Sequence, residues 1–197
     1  MRLARPPERL DPDQQALASR RLNVGCGQYP ILYWTNLDAD PKAIADLHVR
    51  VPPLPFEDGA LDEIYAGHFL EHLTPKDARA FLAECFRCLT PGGKLGIVVP
   101  DTREILRRYL DGALDCIEFP VNVYWSINDL DTLCALFFYH TDDPTDRSPH
   151  LWSYDETTLR RALEGAEFTI TGAIDRYRDP RIPVGAFYQF GFDAVKP

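Results

Sequence analysis

Short apolar runs recur along the chain, each closed by glycine, proline or a carboxylate, with helically spaced segments between them. Arg21–Val24, Tyr33–Leu37 and Leu61–Ala66 read as strands, the last running into Gly67-His68. Asp46–Val51 alternates weakly and reads as a further strand, ended by Pro52-Pro53. Thr74-Pro75-x-Asp77 opens a helix, with Thr as N-cap, Pro in the first turn and Asp near the positive end of the dipole. Its apolar stripe is Ala78, Phe81 or Leu82, Cys85 and Leu89, and Pro91-Gly92-Gly93 is the expected stop. Lys94–Val99 follows as a buried strand closed by Pro100-Asp101, and Asp101 or Thr102 caps a helix through Leu110. Asp155–Gly165 is amphipathic, and Phe168–Ile174 and Ala186–Val195 alternate as strands.

Strands alternating with helices predict an α/β fold: a Rossmann-like, mostly parallel sheet with helices on both faces. Residues 1–20 form an arm, with a short helix over Pro12–Ser19, and 21–197 form one domain. Ala113–Pro149 breaks the rhythm with Phe119, Tyr124, Trp125, Phe137, Phe138 and Tyr139, and a helix over Leu130–His140. We read about 113–150 as an inserted helical lid, in which these aromatics form cap core or a ligand box.

Composition narrows the partners. At 197 residues and 45% hydrophobic content, the chain can bury one sizeable core. The net charge of −9, with no Lys/Arg-rich block, excludes nucleic acid as an expected partner. No apolar run approaches the ~20 residues of a membrane helix, and Met1–Arg20 lacks the apolar core of a secretory signal. Five cysteines without framework spacing indicate reduced thiols and the cytoplasm. Cys85-Phe86-Arg87-Cys88 has metal or redox spacing, but no second Cys/His pair stands nearby, so no metal ligand is assigned. Two helix thiols, at least one facing the core, is the preferred reading.

Candidate chemistry collects at the strand ends: Gly25–Gly27, Asp38, Arg50–Pro53, Gly67–His72 and Pro100–Asp101. In open α/β sheets the ligand lies beyond this carboxyl edge. Leu22-Asn23-Val24-Gly25-Cys26-Gly27 lets a ligand approach backbone, and Asp38 can accept both hydroxyls of a ribose. A dinucleotide site needs a third glycine, a full helix at the pyrophosphate and an acid ~20 residues on. Here Pro30 occupies the third glycine position, and Asp38 follows Gly25 by only 13 residues. A nucleoside without phosphates fits better, and S-adenosylmethionine is the common one.

From Arg21 to Asp101 the chain resembles the class I S-adenosylmethionine-dependent methyltransferases. The resemblance rests on Leu22–Gly27, Asn36-Leu37-Asp38 and Leu54-Pro55-Phe56-x-Asp58-Gly59-x-x-Asp62. His68-Phe69-Leu70-Glu71-His72-Leu73 and Leu89-x-Pro91-Gly92-Gly93-x-Leu95 complete it. The short first crossover is most similar to a bacterial branch associated with surface-polysaccharide genes. The resemblance implies cofactor contacts at the backbone of Gly25, Cys26 and Gly27, with Asn23 beneath, Asp38 on the ribose and Ala39 beside the adenine. It also implies Gly67 and His68 near the transferable methyl. Arg50 stands where many relatives carry an acid for the adenine amino group. Arginine cannot accept a hydrogen bond, which leaves that contact to the Arg50 and Val51 backbone.

The expected reaction is methyl transfer to an oxygen or nitrogen of a small-molecule acceptor beneath the Tyr124–Trp152 aromatics. Arg147 is the only Arg or Lys between Ala113 and Trp152, so a neutral, cationic or at most weakly anionic acceptor is expected. His68 is the expected proton acceptor for a hydroxyl, with Asp101 orienting it and His72 structural. The alternatives are a non-catalytic S-adenosylmethionine-binding protein of the same fold and a nicotinamide-dependent oxidoreductase. The spacing argues against the second.

Overall fold

The computed structural model describes residues 20–113, 149–174 and 189–197. Seven strands form one sheet: β1 Arg21–Val24, β2 Thr35–Asp38, β3 Leu47–His48, β4 Leu61–Gly67, β5 Leu89–Pro100, β6 Thr169–Ala173 and β7 Gln189–Val195. Their order is β3-β2-β1-β4-β5-β7-β6. The first five are parallel, and β7 lies antiparallel between β5 and β6. Helices α1 Pro75–Cys88, α2 Thr102–Leu110 and α3 Glu156–Gly165 join them, with a 3-10 turn at Leu70–His72. The arm, the bulk of the expected lid and the start of the last expected strand lie outside the described residues. No described helix is long and apolar enough to cross a membrane.

The sheet is mostly parallel because its crossovers carry apolar helix faces onto it. Ala78, Phe81, Leu82, Cys85 and Cys88 of α1 and Leu159 and Leu163 of α3 are buried with Ile64, Ala66, Ile97 and Val99 of the central strands. Side chains alternate along a strand, so Tyr65 and Val98 turn the other way. They form a smaller cluster with Trp34, Ile31 and Ile174. Both Phe81 and Leu82 are buried, so the apolar stripe of α1 is wider than the spacing alone predicts.

The helix starts follow their caps. The Thr74 hydroxyl accepts the Asp77 N–H, Asp101 accepts the Glu104 N–H, and Asp155 and Thr158 form a reciprocal capping box. Such a cap stabilises a helix by roughly 1 kcal/mol.

Pro91-Gly92-Gly93 differs from expectation. It does not stand between α1 and the strand but inside β5, which begins at Leu89 directly after the helix. Opposite Leu61 to Glu63, β5 advances from Leu89 to Lys94, so the extra residues bulge out of the ladder. A Cβ on Gly93 would lie 2.8 Å from the Thr90 carbonyl oxygen, closer than any side chain can sit. Lys196 closes the bulge: its carbonyl accepts the Gly92 N–H at 2.8 Å and its ammonium donates to the Leu89 carbonyl at 2.7 Å.

Candidate functional site

Between β1 and β2 the chain makes only turns, with no helix. Gly25, at φ 69°, bends it back so that the Gly25 and Cys26 N–H groups both donate to the Leu37 carbonyl, at 2.8 and 3.2 Å. The Gly27 N–H donates to Asp38 Oδ2 at 2.8 Å and the Asp40 N–H to Oδ1 at 2.9 Å. The amides of the glycine turn are therefore used within the protein, and what they build is a fixed carboxylate. Each carboxylate oxygen retains a lone pair beyond its amide bond, which suits two adjacent hydroxyls.

Beneath the turn, the buried Asn23 donates through Nδ2 to Asn36 Oδ1 at 2.9 Å. Asn36 also bonds the Ile31 and Trp34 backbone and Asp46, tying β1, β2 and the approach to β3 together. Asn23 thus acts on the turn through Asn36. Cys26 is buried, with Sγ 3.6 Å from the Ile44 carbonyl. Ala39 and Arg50 are exposed, whereas the Val51 side chain belongs to the core. Cys85 and Cys88 are buried free thiols, and burial pushes both pKa values up. That environment suits packing and opposes the reactive CxxC reading.

Two glycines carry a packing role that sequence reasoning missed. A Cβ on Gly25 would lie 2.7 Å from the Phe69 ring, and one on Gly67 would lie 2.5 Å from the Tyr65 hydroxyl. Phe69 in turn packs edge-on against Phe81, with centroids 5.0 Å apart.

At the end of β4, His68 takes a left-handed backbone (φ 51°), and its N–H donates to the Val98 carbonyl at 2.9 Å. Such a conformation is uncommon for a side-chain-bearing residue and concentrates at functional positions. The His68 ring lies between two oxygens: Nδ1 is 3.1 Å from Glu71 Oε1 and Nε2 is 3.0 Å from Gln189 Oε1. Oxygens on both sides fix the orientation of the ring. Asp101 instead caps α2, and burial raises its carboxyl above the ordinary aspartate range against the Glu104 N–H. The carboxylate that meets His68 is therefore that of Glu71.

Glu71 is 1% exposed. Burial alone would raise its pKa, but His68, His72 and His150 outweigh burial and hold it down to about 2. A small cavity adjoins it, lined among others by Pro100, Thr102, His150, Trp152 and Tyr154. Glu71 and His72 were visible within the quoted His68–Leu73 segment, where His68 and Glu71 stand three apart. His150 and Gln189 had no local signal, because only the fold brings His150 to Glu71 and Gln189 to His68.

Known proteins share this fold. Residues 22–97 match the family model of a methyltransferase domain. Nothing among curated proteins matches the sequence. An S-adenosylmethionine-dependent methyltransferase structure from Methanosarcina mazei superposes with a TM-score of 0.55 at 19% identity, over 95% of this chain and 98% of that one. One from Thermotoga maritima, described as a possible histamine N-methyltransferase, gives 0.55 at 12%, over 93% and 88%. One from Aquifex aeolicus gives 0.51 at 15%, over 95% and 94%. The architecture is the Rossmann-like methyltransferase fold, and the matched domain indicates S-adenosylmethionine as its cofactor. The residues present fit that group: a fixed carboxylate for a diol, beside a turn with no helix for phosphate.

Proposed function

We propose that this chain is a cytoplasmic methyltransferase acting on an oxygen or nitrogen of a small-molecule acceptor. The observation that carries the reading is the Asp38 carboxylate, clamped by the Gly27 and Asp40 amides at the tip of β2. When bound, S-adenosylmethionine supplies an electrophilic methyl group on a sulfonium whose thioether leaves without charge. Asp38 holds the ribose hydroxyls, with Ala39 and the Arg50–Val51 backbone around the base. Gly25, Cys26 and Gly27 bound the nucleoside through backbone and Asn23 braces them, while Gly67 and His68 border the methyl. The chain's main work is alignment and exclusion of water.

His68 is the side chain best placed to act on an acceptor proton, and Glu71 takes the orienting role that Asp101 was expected to fill. The free thiols support a reducing compartment. The short first crossover supports the resemblance to the polysaccharide-associated branch.

Calorimetric titration with S-adenosylhomocysteine, S-adenosylmethionine and NAD tests the reading. The two sulfur nucleosides should bind one per chain and NAD should not. Binding of NAD alone would overturn it. Nucleoside binding with no transfer of a labelled methyl across an acceptor panel would favour a non-catalytic binding protein.

A further inference from the structure

Where β4 leaves the sheet, residues 149–154 lie across the 3-10 turn. The Leu151 and Trp152 N–H groups both donate to the Glu71 carbonyl, at 2.8 and 3.0 Å, and Tyr154 bridges to Asp101. These backbone bonds hold His150 beside Glu71, with Nε2 4.0 Å from Oε1 and its ring edge-on to His72 at 4.8 Å between centroids. One ligand atom each from Glu71, His72 and His150 lies within 4.8 Å of the others.

Two further observations point to an ion. The Glu71 carboxylate is buried, and neither oxygen receives a hydrogen bond of regular geometry, since His68 Nδ1 at 3.1 Å lies off line. A buried charge left so is unfavourable unless something compensates it. Moreover, His72 Nδ1 donates to the Pro149 carbonyl at 3.3 Å. That bond selects the tautomer with the lone pair on Nε2, as backbone partners do for metal-bound imidazoles.

We propose that Glu71, His72 and His150 bind one divalent transition-metal ion. Two imidazoles and one carboxylate suit Zn²⁺, Mn²⁺, Fe²⁺ or Co²⁺, whereas Mg²⁺ and Ca²⁺ prefer all-oxygen shells. Bonds of about 2.0–2.2 Å bring ligand atoms to roughly 3–3.5 Å of one another, so loading draws the two rings inward. The cavity that shares Glu71 and His150 leaves room for water or an acceptor oxygen as further ligands. A hydroxyl bound there ionises more readily, releasing its proton to solvent. That use rests on the proposed methyl transfer, but the binding of the ion does not.

The test is titration of the chelator-treated full chain with Co²⁺ and Zn²⁺, followed by calorimetry and by the visible absorption of Co²⁺. One ion per chain is expected at a Kd of about 1 μM or tighter. His72→Ala, His150→Ala and Glu71→Gln should each weaken it at least tenfold, while the remote His48→Ala should not. If Glu71→Gln does not fold, the two histidine variants decide alone. Failure to bind at millimolar metal, or equal binding by wild type, His72→Ala and His150→Ala, overturns the site. Calorimetry with S-adenosylhomocysteine on the same samples keeps the two readings separate. Cofactor binding without an ion sinks only the metal site, and an ion without cofactor binding sinks only the proposed function.

Discussion

At the scale of single residues, Asp38 and Gly25 do different work than a motif suggests. Asp38 terminates two amides of the turn, and in the proposed function it also offers its oxygens to a ribose. Asp38→Ala should therefore weaken S-adenosylhomocysteine binding by about 1–3 kcal/mol, the range for a hydrogen bond to a charged group. Wild type should discriminate against a 2′-deoxyribose analogue and Asp38→Ala should not; equal discrimination by both would remove Asp38 from the ribose. Gly25→Ala should lower stability by roughly 1–3 kcal/mol, because the new methyl meets the Phe69 ring and the backbone is left-handed. Urea unfolding of Gly25→Ala, Phe69→Ala and the double variant checks this. The double variant should be more stable than the sum of the single losses predicts, and strict additivity would exclude the clash.

At the scale of elements, the helix beginnings were legible because a cap is local chemistry. Thr74 and Asp101 each announce a start within four residues and bond the amide that their spacing specifies, and Asp155, read only as part of an amphipathic segment, does the same. The start of β5 was misread for the converse reason. Pro91-Gly92-Gly93 carries the turn chemistry of a connection, but Lys196, far along the chain, pins it as a bulge inside a strand. β3 is only two residues long, because His48 is followed at once by a loop that returns the Val49 N–H to Asp38.

Charge also acts within an element. Arg107 and Arg108 hold Glu104 in the first turn of α2 down to about 2, against an ordinary 4.5. A carboxylate depressed in the folded state stabilises fully above its unfolded pKa, and the gain drains as pH falls toward the folded value. The stability difference between wild type and Glu104→Gln should therefore be flat above about pH 5. It should shrink from about 4.5 down to about 2. A difference that does not change with pH across that window would show that the Arg pairs contribute nothing to folding.

At the scale of the whole molecule, the meeting of the glycine turn with Asp38 was legible and the surroundings of His68 were not. The glycine turn and Asp38 lie on consecutive strands, so their meeting is encoded within one short stretch. Bringing Glu71 and Gln189 to His68, and His150 to Glu71, needs the end of β4, the segment before α3 and the start of β7 at one place. No spacing rule spans such separations. Because that rim draws on so many elements, a ligand seated along it should stabilise the entire fold. At a hundred times its Kd, S-adenosylhomocysteine should add about 2.7 kcal/mol. For a chain of this size that raises Tm by about 5–10 °C. Thermal scans should show the rise in wild type and a much smaller one in Asp38→Ala; an equal rise in both would put the ligand elsewhere.

The antiparallel place of β7 also governs how the molecule comes into being. Lys94 pairs with Val195, so one flank of β5 finds its partner about a hundred residues later in synthesis. Until then, β5 offers an open row of amides and carbonyls to whatever strand comes near. Assembly on the ribosome must therefore hold the half-built sheet unfinished, and a newly made chain is most exposed to chaperones and to its own copies just before β7 emerges.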